Sequence, residues 1–253
     1  MTTPRQLPVT APATQGSRAR LTRSGVADGC RVIEVDEASG ASLDRVAWLA
    51  EGGANPGSAF LTTLRQGSWA VPLVAGDLLL SYVTRSSPSS LCVQTSLGRQ
   101  RRIDAGGLML CAGQQPQLRR AKARGGPACE VIDLVLPDVA MATTVSVQPD
   151  EATVFVNTRS TCIRILLGRW GMHGARFEPL PRFWLLDVDI IPGADVELPV
   201  HSCAVNVLVT SGTLHVDGQE LGAATPLIRR GAAESIAIAS STGASLLMFS
   251  SGR

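Results

Sequence analysis

The sequence predicts an all-β protein, and three observations carry this prediction. From residue 30 onward, short apolar runs rich in Val, Ile, Leu and Thr alternate with segments rich in Gly, Pro, Ser and Asp. Runs of this length and composition are typical of strands, and their spacing is typical of a sandwich or a barrel. Asp217-Gly218 directly follows Leu214–Val216 and is a hairpin signal, because glycine accepts the positive φ that a tight turn requires.

The predicted strands follow one another along the whole chain. Those of the first half are Arg31–Val35, Ala59–Leu64, Leu78–Val83, Leu108–Cys111 and Val131–Leu136. Those of the second half are Val154–Val156, Ile163–Leu167, Phe183–Ile191, Ala204–Thr210, Thr213–Val216, Pro226–Ile228, Ser235–Ala239 and Ser245–Phe249. Ser42–Ala50 alone is predicted as a short helix, because Leu43, Val46 and Ala47 fit one helical face.

The chain divides into a tail and two similar halves. Residues 1–27 carry no acidic residue and lack the periodic apolar residues that burial requires, so we expect a flexible arm, with a targeting segment as the alternative. Residues 28–138 and 153–253 each run through several strands to a final apolar strand. Residues 139–152 contain Pro149-Asp150 and are predicted to be a linker. Two tandem barrels are the simplest arrangement.

The composition limits the classes of partner. A formal net charge of +2 over 253 residues argues against a nucleic-acid-binding protein, and no apolar run approaches the ~18 residues of a membrane helix. The six cysteines are scattered without a C-x-x-C pair, which argues against a disulfide framework or a zinc site and favours a reducing cytoplasm. We expect neither a membrane nor a nucleic acid as partner, and the oligomeric state stays open.

The second half carries a resemblance to a known family. The stretches that carry it are Phe183–Leu186, Ile191-Pro192-Gly193, Ala204–Gly212, Thr213–Gly218, Leu221–Ala224 and Ser245–Phe249. Taken in this order, they resemble the second domain of the pirin-like bicupins of the cupin superfamily. The resemblance implies an all-β fold of two tandem cupin-type (RmlC-like) β-barrels.

The first half resembles the family at the positions where its metal ligands stand. Val71-Pro72-Leu73 occupies the place of a His-Pro-His motif, Asp77 that of a glutamate, and Leu118 that of the last histidine. A cupin-type centre uses about three imidazoles and a carboxylate, and the chain has no histidine before His173. We therefore expect no metal and no cofactor in the first barrel, and a pocket at Val71, Leu73, Asp77 and Leu118.

The second half offers no better ligand set. His201 stands near one histidine position of the family motif, but Pro199 and Val205 occupy its partner positions. His173 and His215 lie elsewhere along the chain. We expect satisfied or exposed imidazoles and no histidine-based metal site.

Two further features are leads to function. Basic residues cluster between positions 99 and 124, with Asp104 as the one acid among them. Arg119 and Arg120, which directly follow Leu118, are candidates to hold a carboxylate or a phosphate, and a solvated surface ribbon is the alternative. Cys111 is a candidate redox-sensing thiol beside this cluster, with a buried structural cysteine as the alternative.

The sequence therefore predicts a metal-free pirin-like bicupin with a binding or regulatory role, toward a small anionic molecule or a partner protein. The alternative is a metal-independent cupin enzyme of the isomerase or cyclase type. Such an enzyme would hold its substrate in an apolar cavity near Val71, Leu73 and Leu118, with Asp77 as its acid. The flavonol dioxygenase activity that the resemblance associates with metal-bearing pirin-like proteins requires the missing ligands.

Overall fold

The computed structural model describes residues 20–21, 29–36, 41–50, 57–66, 68–71, 77–94, 100–112, 117–121, 127–136, 145–147, 154–175, 183–200, 204–216, 218–223, 225–230 and 235–250. Within these residues the chain forms strands and turns and contains no helix, which confirms the all-β prediction. In the same part of the chain, no helix is long and apolar enough to cross a membrane.

The described residues of the first barrel form twelve strands in two antiparallel sheets. The strands are β1 (Arg20–Leu21), β2 (Gly29–Asp36), β3 (Ala41–Ala50), β4 (Gly57–Gln66), β5 (Ser68–Val71), β6 (Leu78–Val83), β7 (Leu91–Gln94), β8 (Gln100–Ile103), β9 (Leu108–Ala112), β10 (Gln117–Ala121), β11 (Cys129–Leu136) and β12 (Val145–Val147). The larger sheet has the order β1-β2-β3-β4-β11-β6-β9-β12, and the smaller has the order β5-β10-β7-β8.

The second barrel likewise combines a larger antiparallel sheet with a four-stranded one. Its strands are β13 (Val154–Asn157), β14 (Thr161–Leu167), β15 (Arg169–Trp170), β16 (His173–Gly174), β17 (Trp184–Ile190), β18 (Ala194–Pro199), β19 (Ala204–Gly212), β20 (Leu214–Val216), β21 (Gln219–Leu221), β22 (Pro226–Arg230), β23 (Ser235–Ser240) and β24 (Ala244–Ser250). The sheets have the orders β13-β14-β17-β24-β19-β22 and β18-β23-β20-β21, and β15 pairs with β16. Among the described strands, none of the first barrel pairs with one of the second.

The helix predicted for Ser42–Ala50 is wrong, because this segment lies within strand β3. The strand pairs with β2 on one side and with β4 on the other, so that Val46 stands opposite Arg31 and Leu61. A helical pattern over nine residues is weak, because isolated helices of that length are barely stable. Ladder hydrogen bonds to two neighbouring strands outweigh it.

The two edge strands of the larger sheet come from segments predicted to lie outside the barrels. β1 pairs Arg20 with Ile33 and Leu21 with Val32. β12 pairs its three residues with Leu108–Leu110 of β9.

The apolar runs of the larger sheets are buried on both faces. In β6, Leu79 and Val83 belong to the interior of the first barrel, whereas Leu78, Leu80 and Tyr82 belong to a cluster shared between the barrels. This shared cluster is formed by Leu78, Leu80, Tyr82, Leu108, Leu110, Ile132, Leu134 and Leu136 of the first barrel with Leu166, Leu167, Phe183, Leu185, Leu208, Leu247 and Phe249 of the second. Burial on both faces explains why these strands carry apolar residues on both faces instead of alternating apolar and polar ones.

A buried polar network crosses the same interface. The Tyr82 hydroxyl donates to Asp187 Oδ2 at 2.8 Å and accepts from Arg164 Nη2 at 3.1 Å. Arg164 also forms an ion pair with Asp187, and the two side chains are only 5% and 2% exposed. Arg85, on the turn after β6, lies 3.9 Å from Asp187 and forms an ion pair with Asp189. We call Tyr82, Arg85, Arg164, Asp187 and Asp189 the inter-barrel network.

Burial keeps Tyr82 in its neutral form. Burial raises the pKa of Tyr82 to about 12, against the opposing effects of the Arg164 and Arg85 charges. Burial also lowers the pKa of Arg164, and the nearby Tyr82 opposes this shift. At neutral pH the phenol therefore remains a hydrogen-bond donor to Asp187, and the guanidinium of Arg164 remains a cation.

Candidate functional site

The backbone places two of the four positions predicted to match metal ligands on neighbouring strands, one residue out of register with each other. Val71 is the last residue of β5 and pairs with Gln117 of β10, and Leu118 pairs with the preceding residue, Ala70. Asp77 is half-buried and stands directly before β6. Leu73 lies outside the described residues. The pocket predicted at these positions stays a prediction.

The residues at these positions do not fit a transition metal. Valine and leucine offer no ligand atom, and one carboxylate does not complete a set of nitrogen and oxygen donors. Within the described ranges, no group of three His, Cys, Asp or Glu side chains could hold an ion. His173 and His215 are exposed on β16 and β20, and His201 lies outside the described residues.

Among the acids of the first barrel whose burial the structure describes, Asp133 is fully buried and Asp77 is half-buried. Asp133 lies on β11 and pairs with Ser81 of β6, which in turn pairs with Met109 of β9. All three side chains are fully buried, and Asp133 and Ser81 alternate along their strands with residues of the shared cluster, so they face the barrel interior. Sequence reasoning missed this pair, although a charged residue inside the apolar run Val131–Leu136 was a signal.

Cys111 lies inside the first barrel. It is fully buried on β9, pairs with Leu79, and belongs to the interior apolar cluster with Met109 and Val131. Its thiol forms no disulfide. The redox role predicted for Cys111 stays a prediction, and it requires an oxidant to reach this interior.

Arginines of two separate strands line up across the smaller sheet of the first barrel. One cross-strand row contains Arg119, Val93 and Arg101, and the next contains Arg120, Cys92 and Arg102. Neighbouring strands lie about 4.8 Å apart, so the two arginines of each row have Cα atoms about 10 Å apart. We call these four residues the arginine rows. The sequence predicted the cluster, but it did not show that β7 lies between β8 and β10 in the sheet.

The edge strand of this sheet presents its charges to solvent. Arg101 and Arg102 are exposed on β8. Arg102 Nε donates to Asp104 Oδ1 at 2.8 Å and to Ser90 Oγ at 3.1 Å, and the Ser90 hydroxyl donates to Asp104 at 2.7 Å. Asp104 therefore balances one arginine and fixes the direction of its guanidinium. Cys92, in the same row, is half-buried and free of a disulfide.

Solved structures share this architecture. GK1651 from Geobacillus kaustophilus gives a TM-score of 0.67 at 13% identity, over 93% of this chain and 96% of that chain. Quercetin 2,3-dioxygenase from Acinetobacter baumannii gives a TM-score of 0.62 at 12% identity, over 93% of this chain and 84% of that chain. The bacterial pirin YhhW from Escherichia coli, in complex with nickel(II), gives a TM-score of 0.57 at 12% identity, over 86% of this chain and 96% of that chain.

These comparisons establish the fold of the chain. The neighbours are cupin-fold proteins with two barrels, so the predicted pair of tandem cupin-type barrels is confirmed. No protein-family model matches the sequence, and no curated protein does. Identities this low show the fold alone, and function rests on the site.

Proposed function

We propose that this protein is a pirin-like bicupin that has lost its metal ligands and acts as a binding or regulatory protein. Its first barrel binds an anion that belongs to a small molecule or to an acidic segment of a partner protein. Both sources present the same chemistry, a carboxylate or phosphate group that accepts hydrogen bonds from arginine.

The arginine rows carry this proposal. Arginine is always charged, and its planar fork matches the geometry of carboxylate and phosphate oxygens. Successive residues of a strand lie on opposite faces of its sheet, so Arg119 with Arg101 and Arg120 with Arg102 form two separate pairs, one on each face. The span of about 10 Å within one pair suits a ligand with two anionic groups or a short acidic stretch of chain.

The aliphatic residues at the family's ligand positions support the metal-independent part of the proposal. Val71 and Leu118 stand on adjacent strands where imidazoles would be needed. No histidine precedes His173 in the sequence, so no other histidine of the first half could replace them.

Calorimetric titration with inorganic phosphate and with a hexaglutamate peptide tests the anion site. We expect the double variant Arg119→Ala/Arg120→Ala to bind the preferred probe at least roughly tenfold more weakly, and to show a smaller salt dependence. A response to phosphate alone favours a small molecule, and a stronger response to the peptide favours an acidic partner.

The matched control is Arg159→Ala/Arg169→Ala, which removes the same charge from two exposed arginines of the second barrel. If this control weakens binding as much as the first-barrel variant, the attraction is a property of net charge and the proposed site is wrong. Absence of any binding to the unmodified protein has the same consequence.

Titration of chelator-treated protein with Ni²⁺ and Zn²⁺ tests the loss of the metal site separately. We expect no stoichiometric ion in the first barrel. A tightly bound ion at one equivalent would overturn the metal-independent function, whatever the arginine variants do.

A further inference from the structure

Two polar side chains are buried without a hydrogen-bond partner at one end of the second barrel. They are Trp184, with its indole Nε1, and Ser250, with its hydroxyl, and they are 3% and 0% exposed. Trp184 is the first residue of β17, Ser250 is the last of β24, and the two pair directly across the sheet. Trp184 lies on the same face of its strand as Leu186 and Val188, and Ser250 lies on the same face of its strand as Met248. Leu186, Val188 and Met248 belong to the interior cluster of the second barrel. Both residues therefore face the barrel interior.

Two buried polar groups without hydrogen-bond partners lower the stability of the fold unless a bound molecule supplies the missing hydrogen bonds. An indole N–H can only donate, and leaving a buried polar group unsatisfied costs about 1–3 kcal/mol. More than nine in ten buried polar groups in native proteins have a partner. Other buried donors of the same barrel have partners: Trp170 Nε1 donates to Pro199 O at 3.0 Å, and the Ser240 hydroxyl donates to Thr213 O at 2.6 Å. Arg164 Nε and Asn206 Oδ1 are also buried without a partner, but Trp184 and Ser250 are two unsatisfied groups that pair directly with each other across the sheet.

One acceptor can serve both groups. Residues that pair directly across antiparallel strands have Cβ atoms about 5 Å apart, so a single small molecule can reach the indole N–H and the hydroxyl together. Two arginine positions lie at the same end of the strands. The backbone register pairs Arg229 with Val205 and Arg230 with Ala204, at the point where β22 ends and β19 begins.

We propose that this end of the second barrel binds a small carboxylate. The indole N–H of Trp184 and the hydroxyl of Ser250 donate to the carboxylate oxygens, and the charges of Arg229 and Arg230 favour an anion over a neutral acceptor. The site is separate from the arginine rows and does not depend on them.

Titration of ¹⁵N-labelled protein with sodium acetate tests the site through its indole N–H resonances. The chain has four tryptophans, and the Trp184→Phe variant identifies the resonance of Trp184. We expect that resonance to move downfield and to saturate, because its N–H gains an acceptor. The resonance of Trp170 should not move, because its N–H is already bonded to Pro199. Ser250→Ala should weaken acetate binding by roughly tenfold.

The outcomes separate this site from the alternatives. A resonance of Trp184 that stays in place, or that moves equally with sodium chloride, overturns the proposal and leaves an ordered water as the partner of the pair. An acetate affinity unchanged by Ser250→Ala also overturns it. If Trp184→Phe fails to fold, the unmodified protein and Ser250→Ala still decide the question. In Arg119→Ala/Arg120→Ala the acetate response should remain, so failure of the first-barrel site leaves this test intact.

Discussion

Arg164→Met removes the buried cation of the inter-barrel network and keeps an unbranched apolar side chain in its place. The carboxylate of Asp187, 2% exposed, then retains only the Tyr82 hydroxyl at 2.8 Å and the half-exposed Arg85 at 3.9 Å. Breaking a buried ion pair from one side costs about 3–5 kcal/mol, because a charge is left without its partner. Since Arg85 compensates in part, we expect a loss of about 3 kcal/mol in the free energy of unfolding.

Urea unfolding followed by tryptophan fluorescence measures this loss, and thermal unfolding should show a midpoint lower by roughly 6–12 °C. The double variant Arg164→Met/Asp187→Leu removes both charges, and we expect it to recover most of the lost stability, because an apolar pair leaves no unpaired charge. Arg159→Ala, on an exposed turn of the second barrel, is the control and should change stability by less than about 0.5 kcal/mol.

Two results would refute this reasoning. If Arg164→Met is as stable as the unmodified protein, the pair is not buried and the barrels do not pack through this face. If the double variant loses as much as the sum of the two single variants, the charges do not interact.

Three further predictions concern the first barrel and the tight contacts of the second. Tyr82 is the only tyrosine of the chain. Its pKa of about 12 in the folded protein exceeds the ordinary 10.0. Its contribution to the free energy of unfolding is therefore complete below pH 10 and falls by about 3 kcal/mol as the pH rises toward 12. Tyrosinate absorbance gives that pKa directly, and a value near 10 contradicts burial. Gly168→Ala should lower the free energy of unfolding by at least about 2 kcal/mol more than Gly218→Ala does. Both glycines have positive φ, but only at Gly168 would a Cβ overlap the Phe183 carbonyl. Equal unfolding free energies of the two variants would contradict this. In thiol labelling of the folded protein, the half-buried Cys92 and Cys162 should react before the buried Cys111 and Cys129; prompt labelling of Cys111 would support its redox role.

The sequence by itself determined the type of the long apolar strands and the absence of histidine from the first 172 residues. Leu78–Val83 and Val131–Leu136 are runs of mainly strand-forming residues, interrupted by Ser81 and Asp133, and their type does not depend on what they pack against. The absence of histidine from the first 172 residues is likewise independent of any alignment or register. These features are local or compositional, so they could be predicted before the fold was known.

Only the tertiary structure decided which residues meet. Ser42–Ala50 fits a helical face on its own, and pairing with β2 and β4 makes it a strand. Asp133, the arginine rows and the Trp184–Ser250 pair each depend on a cross-strand register, and Arg164 meets Tyr82 across two barrels. Such contacts join residues far apart in the chain. Their positions follow from burial on particular strand faces and from the choice of neighbouring strands, which no local sequence pattern records.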